Sequence, residues 1–183
     1  MASQSKDRRV FHSQDYQEIK EYEELNGKQK KIFIKYLSEV YGIDQTFMCE
    51  FVFLKRGKDI WITTKATKNI LGFSRSLKIN SIGMRAIRNA FDVPKITTNF
   101  AILLNNKITK NYYNITEKEL ENYTHGYDID ITDGQKYKNY LILKYNNDVF
   151  GVGVIIENKI KNQIPKGRVL KNSLTEIEDV DDD

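Results

Sequence analysis

The apolar run Val149-Phe150-Gly151-Val152-Gly153-Val154-Ile155-Ile156 constrains the fold of this chain more than any other stretch. It is short, rich in β-branched residues and punctuated by glycine, which predicts a buried strand that bends or packs closely at its glycines. Ahead of it, Asn146-Asn147-Asp148 is turn-forming, and 140–145 is again apolar and aromatic, so the two runs predict a hairpin. Behind it comes Lys159-Ile160-Lys161-Asn162-Gln163-Ile164-Pro165-Lys166-Gly167-Arg168. A buried strand thus delivers a basic, polar loop to the surface. Such a loop suits a phosphate backbone, and it contains no nucleophile, acid–base pair or set of metal ligands.

The rest of the second half reads as further short elements. Residues 97–104 predict a strand, 105–107 a turn, and 108–114 a weakly alternating segment. Thr116-Glu117-Lys118-Glu119 has the spacing of a capping box and opens a short helix that ends near His125 and Gly126. Residues 127–131 alternate as a strand. Several short strands and one short helix predict a small, compact barrel.

In the first half, Ile32, Phe33, Tyr36, Leu37 and Val40 recur at three- and four-residue spacing, which predicts a helix over 28–41 that Gly42 stops. A hairpin follows, with strands over 47–54 and 60–64; Val52 and Leu54 point opposite to Phe51 and Phe53, so both faces are expected to be covered. Residues 79–82 predict another strand, 83–91 a helical or irregular piece, and Pro94 a boundary. Residues 13–25 predict a short helix with Ser13 as N-cap, after a polar start expected to be disordered. The fold class expected is α+β: an N-terminal extension over 1–27, an α+β domain over 28–94, a β-barrel over 95–171, and an acidic tail over 172–183.

Charge narrows the function. The net charge is +4, but Glu176 to the C-terminus carries six acids and no base. Over 136–171, eight bases stand against Asp148 and Glu157. A local excess of that size favours a polyanionic partner, although a lysine-rich composition alone also produces it. The tail either keeps the chain soluble or folds back on the basic face. No apolar stretch approaches the roughly 20 residues of a membrane span, and no apolar run follows Lys6-Asp7-Arg8-Arg9 as in a signal peptide. A single cysteine, Cys49, excludes an internal disulfide, fits a reducing, cytoplasmic setting and is expected to be buried. No membrane, metal or cofactor is expected. Gly151-Val152-Gly153 lacks the third glycine of a dinucleotide fingerprint, and His12, His125 and Cys49 are too far apart in sequence to suggest a zinc site.

Five segments in order carry a family resemblance: Gly83-Met84-Arg85-Ala86-Ile87-Arg88, Thr97-Thr98-Asn99-Phe100, Thr109-Lys110-Asn111, the stretch with Gly126, Asp128 and Ile129, and Gly151-Val152-Gly153 followed by 161–168. The second half resembles the PUA domain, an RNA-binding module. The chain from about 29 to 171 resembles the small archaeal ribosome-biogenesis proteins of the Nol/Nop/Fmu type, the non-catalytic RNA-binding part that accompanies cytosine methyltransferases of rRNA and tRNA. Ile96 stands where the family usually has a proline before its threonine pair, and residues 1–27 and the acidic tail lie outside the resemblance.

The resemblance implies binding of structured RNA, rRNA or tRNA, in ribosome biogenesis or RNA modification. A pre-ribosomal particle or an RNA methyltransferase would be the partner. The alternative is an adaptor that positions a separate methyltransferase. No catalytic residue is assigned. Lys161, Lys166, Arg168 and Lys171 are the expected phosphate contacts, Asn162 and Gln163 the sugar or base-edge partners, and Gly167 lets backbone approach closely. Lys136 adds charge. Arg85 and Arg88, three apart, share a face if helical, and bind phosphate or pair with acids at the seam between the halves. Among the tyrosines of the second half, Tyr127 and Tyr137 have the most polar or basic neighbours and are the expected stacking partners for unpaired bases.

Overall fold

The computed structural model describes residues 22–67 and 81–170. Two five-stranded sheets are laid around helices. The first is formed by strands within residues 23–96, adjacent in chain order, and the second by strands within residues 112–161, not all adjacent in chain order.

Helix α1 (Gly27–Tyr41) forms where periodicity predicts it. It is capped from both directions: Asn26 Oδ1 accepts from the Gln29 N–H (2.9 Å) and Gln29 Oε1 accepts from the Asn26 N–H (3.2 Å). Phe33, Ile34, Leu37 and Tyr41 are its buried face, and Gly42, at φ 67, ends it with a left-handed turn. The single-turn α2 (Gln45–Met48) leads into the hairpin of β2 (Phe51–Arg56) and β3 (Asp59–Thr64), with Phe53 opposite Ile62 and Leu54 opposite Trp61. Phe53 faces the main core, while Val52 and Leu54 meet Ile82 on the other face, so the sheet is covered on both sides. β1 (Glu23–Glu24) pairs with β2, and β4 (Met84–Arg88) and β5 (Lys95–Ile96) extend the sheet past β3.

The second sheet is built on the expected hairpin, β8 (Tyr140–Tyr145) with β9 (Asp148–Ile156). β6 (Tyr112–Asn114) joins β8 in parallel, β10 (Lys159–Lys161) joins β9, and β7 (Ile129–Asp130) joins β10. The barrel expected for this half is an open sheet: β6 and β7 do not pair with each other among the described residues. Gly153 is needed for packing, since a Cβ there would meet Ile160, whereas Gly151 faces open space. Helix α4 (Glu117–Thr124) starts at the predicted capping box, with Thr116 and Glu119 satisfying each other's N–H groups and His125 as C-cap.

Four local expectations are corrected. Residues 97–104 are not a strand: Thr98–Leu104 is helix α3, capped by the Thr97 hydroxyl, which accepts from the Phe100 N–H (3.3 Å). Phe100, Ala101 and Leu104 are buried while Ile102 and Leu103 are exposed, a helical pattern that so short an apolar run conceals. The 83–91 piece contains β4 rather than a helix, because Ala86 and Ile87 are drawn into the core between strands β3 and β5. The end of the expected 13–25 helix is strand β1, and the rest of that segment lies outside the described residues, as do 79 and 80. Cys49 is exposed: α2 is one turn long and buries only Met48, leaving the next residue facing solvent.

Helix α3 lies between the sheets. Its buried side chains belong to one cluster with Phe53, Ile62, Ala86 and Ile87 of the first sheet and Ile142, Val149 and Val152 of the second. A smaller cluster under α4 joins Tyr123, Leu141, Leu143 and Ile160, with Tyr113, Tyr137 and Ile164 packed against it. No described helix is long and apolar enough to cross a membrane.

Candidate nucleic-acid interface

Two basic segments flank that smaller cluster, one after β10 and one before β8. The segment after β10 is held by a dense set of hydrogen bonds. Lys161 Nζ lies 2.8 Å from Asp128 Oδ2, and the Asn162 backbone N–H donates to Asp128 Oδ1 (2.9 Å). These two contacts hold the Asp128 carboxyl below the usual carboxylate range, the lysine bond being the larger influence. Asn162 Nδ2 donates to the carbonyls of Tyr123 (2.6 Å) and Tyr127 (3.1 Å), and its Oδ1 accepts from the Ile164 N–H (2.8 Å). Gln163 Oε1 accepts from Lys95 Nζ (2.5 Å), its Nε2 donates to the Asn162 carbonyl (3.1 Å), and its backbone N–H donates to the Tyr123 hydroxyl (3.0 Å). Burial pushes the Tyr123 phenol up to about 12, so it stays a neutral hydrogen-bonding group.

Asn162 and Gln163 therefore sit at the expected place, but their amides already hold the loop together. Lys161 shares its charge with Asp128, and Lys159 with Asp130 (2.7 Å). Lys166 and Arg168 differ. They lie on a short 3-10 turn, exposed, with no acid partner among the described residues. Around Gly167 nothing stands within 4 Å of a would-be Cβ, so the fold itself does not require glycine there. Lys171 lies outside the described residues.

The second segment forms one wall of a groove of about 640 Å³, lined by 109–114 on one side, 136–138 on the other, and Glu39 and Val40 of α1. Asn111, at φ 52, stitches the walls together. Its Oδ1 accepts from the Lys138 N–H (2.8 Å), its Nδ2 donates to the Tyr140 carbonyl (2.7 Å), and its own carbonyl accepts from Ile142 (3.0 Å). Behind this, Gly134 lets the turn before β8 seat against the backbone of Glu157, where any Cβ would collide. Tyr113 and Tyr137 pack edge to face, 6.2 Å between centroids, with Lys136 Nζ 5.8 Å from the Tyr137 ring. Tyr113 donates to Glu119 Oε1 (2.8 Å); burial first and that carboxylate second push its phenol up to about 12. Tyr112 is covered by the buried Lys144, whose Nζ is 4.5 Å from its ring and donates to the Ile108 carbonyl (2.8 Å); burial lowers that lysine's pKa.

Lys136 and Tyr137 are thus brought together in this groove, with Lys110, Asn111, Tyr112 and Lys138, which sequence reasoning did not assign to a site. The available signals were the basic–aromatic–basic order of 136–138 and the polar triplet 109–111. Tyr127 lies apart from the groove, 60 % exposed, beside the Asn162 loop. Arg85 and Arg88 stand on strand β4, so they do not share the helical face expected of them. Arg85 pairs with Asp59 (3.1 Å), while Arg88 faces Lys95 of β5 and helps to lower that lysine's pKa, burial being the larger cause.

With this geometry in place, likeness to known proteins becomes informative. Residues 106–170 match the family model described as the methyltransferase RsmF PUA domain. Over 124 residues, 66 % of this chain, the sequence is 25 % identical to the ribosomal RNA small subunit methyltransferase F of Psychromonas ingrahamii (strain DSM 17664 / CCUG 51855 / 37). The chain matches about a quarter of that relative's length (25 %). The matched segment contains both basic segments, α4 and the whole second sheet, so over residues 106–170 the chain is similar to the PUA domain of RsmF-type methyltransferases.

Proposed function

We propose that this protein is a non-catalytic, cytoplasmic RNA-binding protein that recognises structured RNA, rRNA or tRNA, in ribosome biogenesis or RNA modification. The observation that carries the reading is the exposed pair Lys166 and Arg168. They stand without acid partners among the described residues on a loop whose base is fixed by Asp128, Asn162 and Gln163, inside the segment that matches a PUA domain. Two cations presented on a fixed loop suit contact with a phosphate backbone, which sets affinity and makes it salt-dependent. Lys161 contributes through the loop's shape rather than as a free cation.

The test is binding of a labelled rRNA or tRNA fragment across a salt series, for wild type and for Lys166→Glu/Arg168→Glu. The reading expects a negative log–log salt slope that flattens in the variant by about 0.7–0.9 per lost phosphate contact. Binding without salt dependence, or no binding, would remove it.

A second reading, an adaptor for a separate RNA methyltransferase, is favoured by Ile32, Phe91 and Val93. These side chains are exposed, and Phe91 packs edge to face on Phe33 of α1. Co-sedimentation with the catalytic part of an RsmF-type methyltransferase, lost in Ile32→Ser/Phe91→Ser, is the outcome that reading requires.

A further inference from the structure

We infer that the groove between 109–114 and 136–138 is a binding site for one unpaired RNA nucleotide, its base stacked on Tyr137 and its flanking phosphates held by Lys110, Lys136 and Lys138. The inference rests on the RNA-binding reading and adds a second site, with a different ligand geometry, to the loop at Lys166 and Arg168.

Three observations carry it. First, Lys110, Lys136 and Lys138 are exposed and none has a carboxylate partner among the described residues, although all three line one groove. The acid at the rim, Glu39, pairs with Lys35 (3.6 Å), so the groove keeps its positive charge. Second, the groove carries tyrosine rings as well as cations. Tyr137 is half-buried and braced edge-on by Tyr113, and aromatic rings in a basic groove are the platforms on which unpaired bases stack. Phosphate binding alone requires no aromatic surface. Asn114, at the end of β6, lines the same groove with a side-chain amide that has no hydrogen bond among the described residues, an amide suited to a base edge. Third, the groove is preformed: Asn111 of one wall accepts from the Lys138 N–H of the other and is anchored to β8 by two further hydrogen bonds, to Tyr140 and Ile142, so binding need not order the walls. Its volume of about 640 Å³ falls inside the span usual for small-ligand sites, roughly 300–1,000 Å³.

An RNA duplex does not fit this chemistry, because its bases are stacked on one another and offer no free face. A single strand, a bulge or a loop does.

The experiment uses the full chain and two labelled probes, a short single-stranded oligoribonucleotide and a blunt duplex of the same sequence. Tyr137→Ala is expected to weaken single-strand binding about 10-fold or more at unchanged salt slope, while Tyr137→Phe, which keeps the ring, stays within about twofold. Lys110→Gln/Lys136→Gln/Lys138→Gln is expected to flatten the single-strand salt slope by about 2. Duplex binding is expected to change little in any of these variants. If single-strand binding is unchanged in both Tyr137→Ala and the triple lysine variant but falls in Lys166→Glu/Arg168→Glu, the groove assignment is overturned and the RNA reading stands. If wild type binds the rRNA or tRNA fragment but neither of these probes, the groove assignment falls and the RNA reading stands; if it binds none of the three, both fall. Should Tyr137→Ala fail to fold, the triple variant of exposed lysines decides alone.

Discussion

The segment after β10 and the groove before β8 carry similar charge, but their side chains are engaged differently. In the first, Asp128 and Asp130 hold Lys161 and Lys159, and the amides of Asn162 and Gln163 are bonded to Tyr123, Tyr127, Ile164 and Lys95, leaving Lys166 and Arg168 without an acid partner among the described residues. In the second, a single asparagine, Asn111, does the fastening and three lysines remain unpaired among the described residues. Counting bases along a sequence treats the two as alike. The difference lies in where the acids and amides fall in space, so a residue's availability for a ligand follows from the bonds its neighbours demand of it.

The comparison breaks if the first segment proves dispensable for stability. Asn162→Leu removes three side-chain hydrogen bonds and leaves the Tyr123 carbonyl and the Ile164 N–H without them; urea unfolding should show a loss of about 3 kcal/mol. Next in size, Gly153→Ala should lose about 1–3 kcal/mol by forcing a methyl group onto Ile160 of β10. Gly151→Ala, facing open space two residues earlier, should stay within about 0.5 kcal/mol.

A pH titration sharpens it further. The Asp128 carboxyl is held down by Lys161 and the Asn162 N–H, so its folded pKa lies below its unfolded one. Its stabilisation is therefore complete above the unfolded value, near 4, and lost as pH falls through the folded value. Chemical denaturation between about pH 5 and pH 2 should show a smaller fall in stability for Asp128→Asn than for wild type. Smallest of all, Lys110→Gln/Lys136→Gln/Lys138→Gln should leave unfolding within about 0.5 kcal/mol of wild type, since these exposed side chains support no described ion pair. A large loss there would mean that the groove lysines are structural after all.

Sequence pattern revealed those elements whose signals are local. The α1 periodicity, the Thr116–Glu119 box and the β8–β9 hairpin each depend on a few adjacent residues, and each is found. What escaped depends on distant neighbours. Residues 97–104 carry enough apolar character for either a strand or a helix, and only the interior available on both sides of Phe100 and Leu104 selects the helix. Ala86 and Ile87 became a strand because β3 and β5 offered partners. The parallel pairing of β6 with β8 joins Tyr112 to Ile142 across a separation that no turn signal marks. The groove was half legible: Lys136 and Tyr137 stood out, but their link to Lys110 passes through the left-handed Asn111, whose bonds to Lys138 and Tyr140 leave no trace in composition.

Helix α3 ends at Leu104, two residues before the segment of family likeness begins at 106. Yet Phe100, Ala101 and Leu104 share one interior with Ile142, Val149 and Val152, so side chains that cover one face of the second sheet lie outside the part that matches. The portable unit and the foldable unit are therefore different lengths of chain. Excised alone, 106–170 would expose an apolar face of β8 and β9, and both sheets should melt together as one cooperative unit, with amide protons on β3 and β9 exchanging at a common slow rate. A transplant of residues 106–170 into another protein would have to carry α3 with it, or supply a substitute helix.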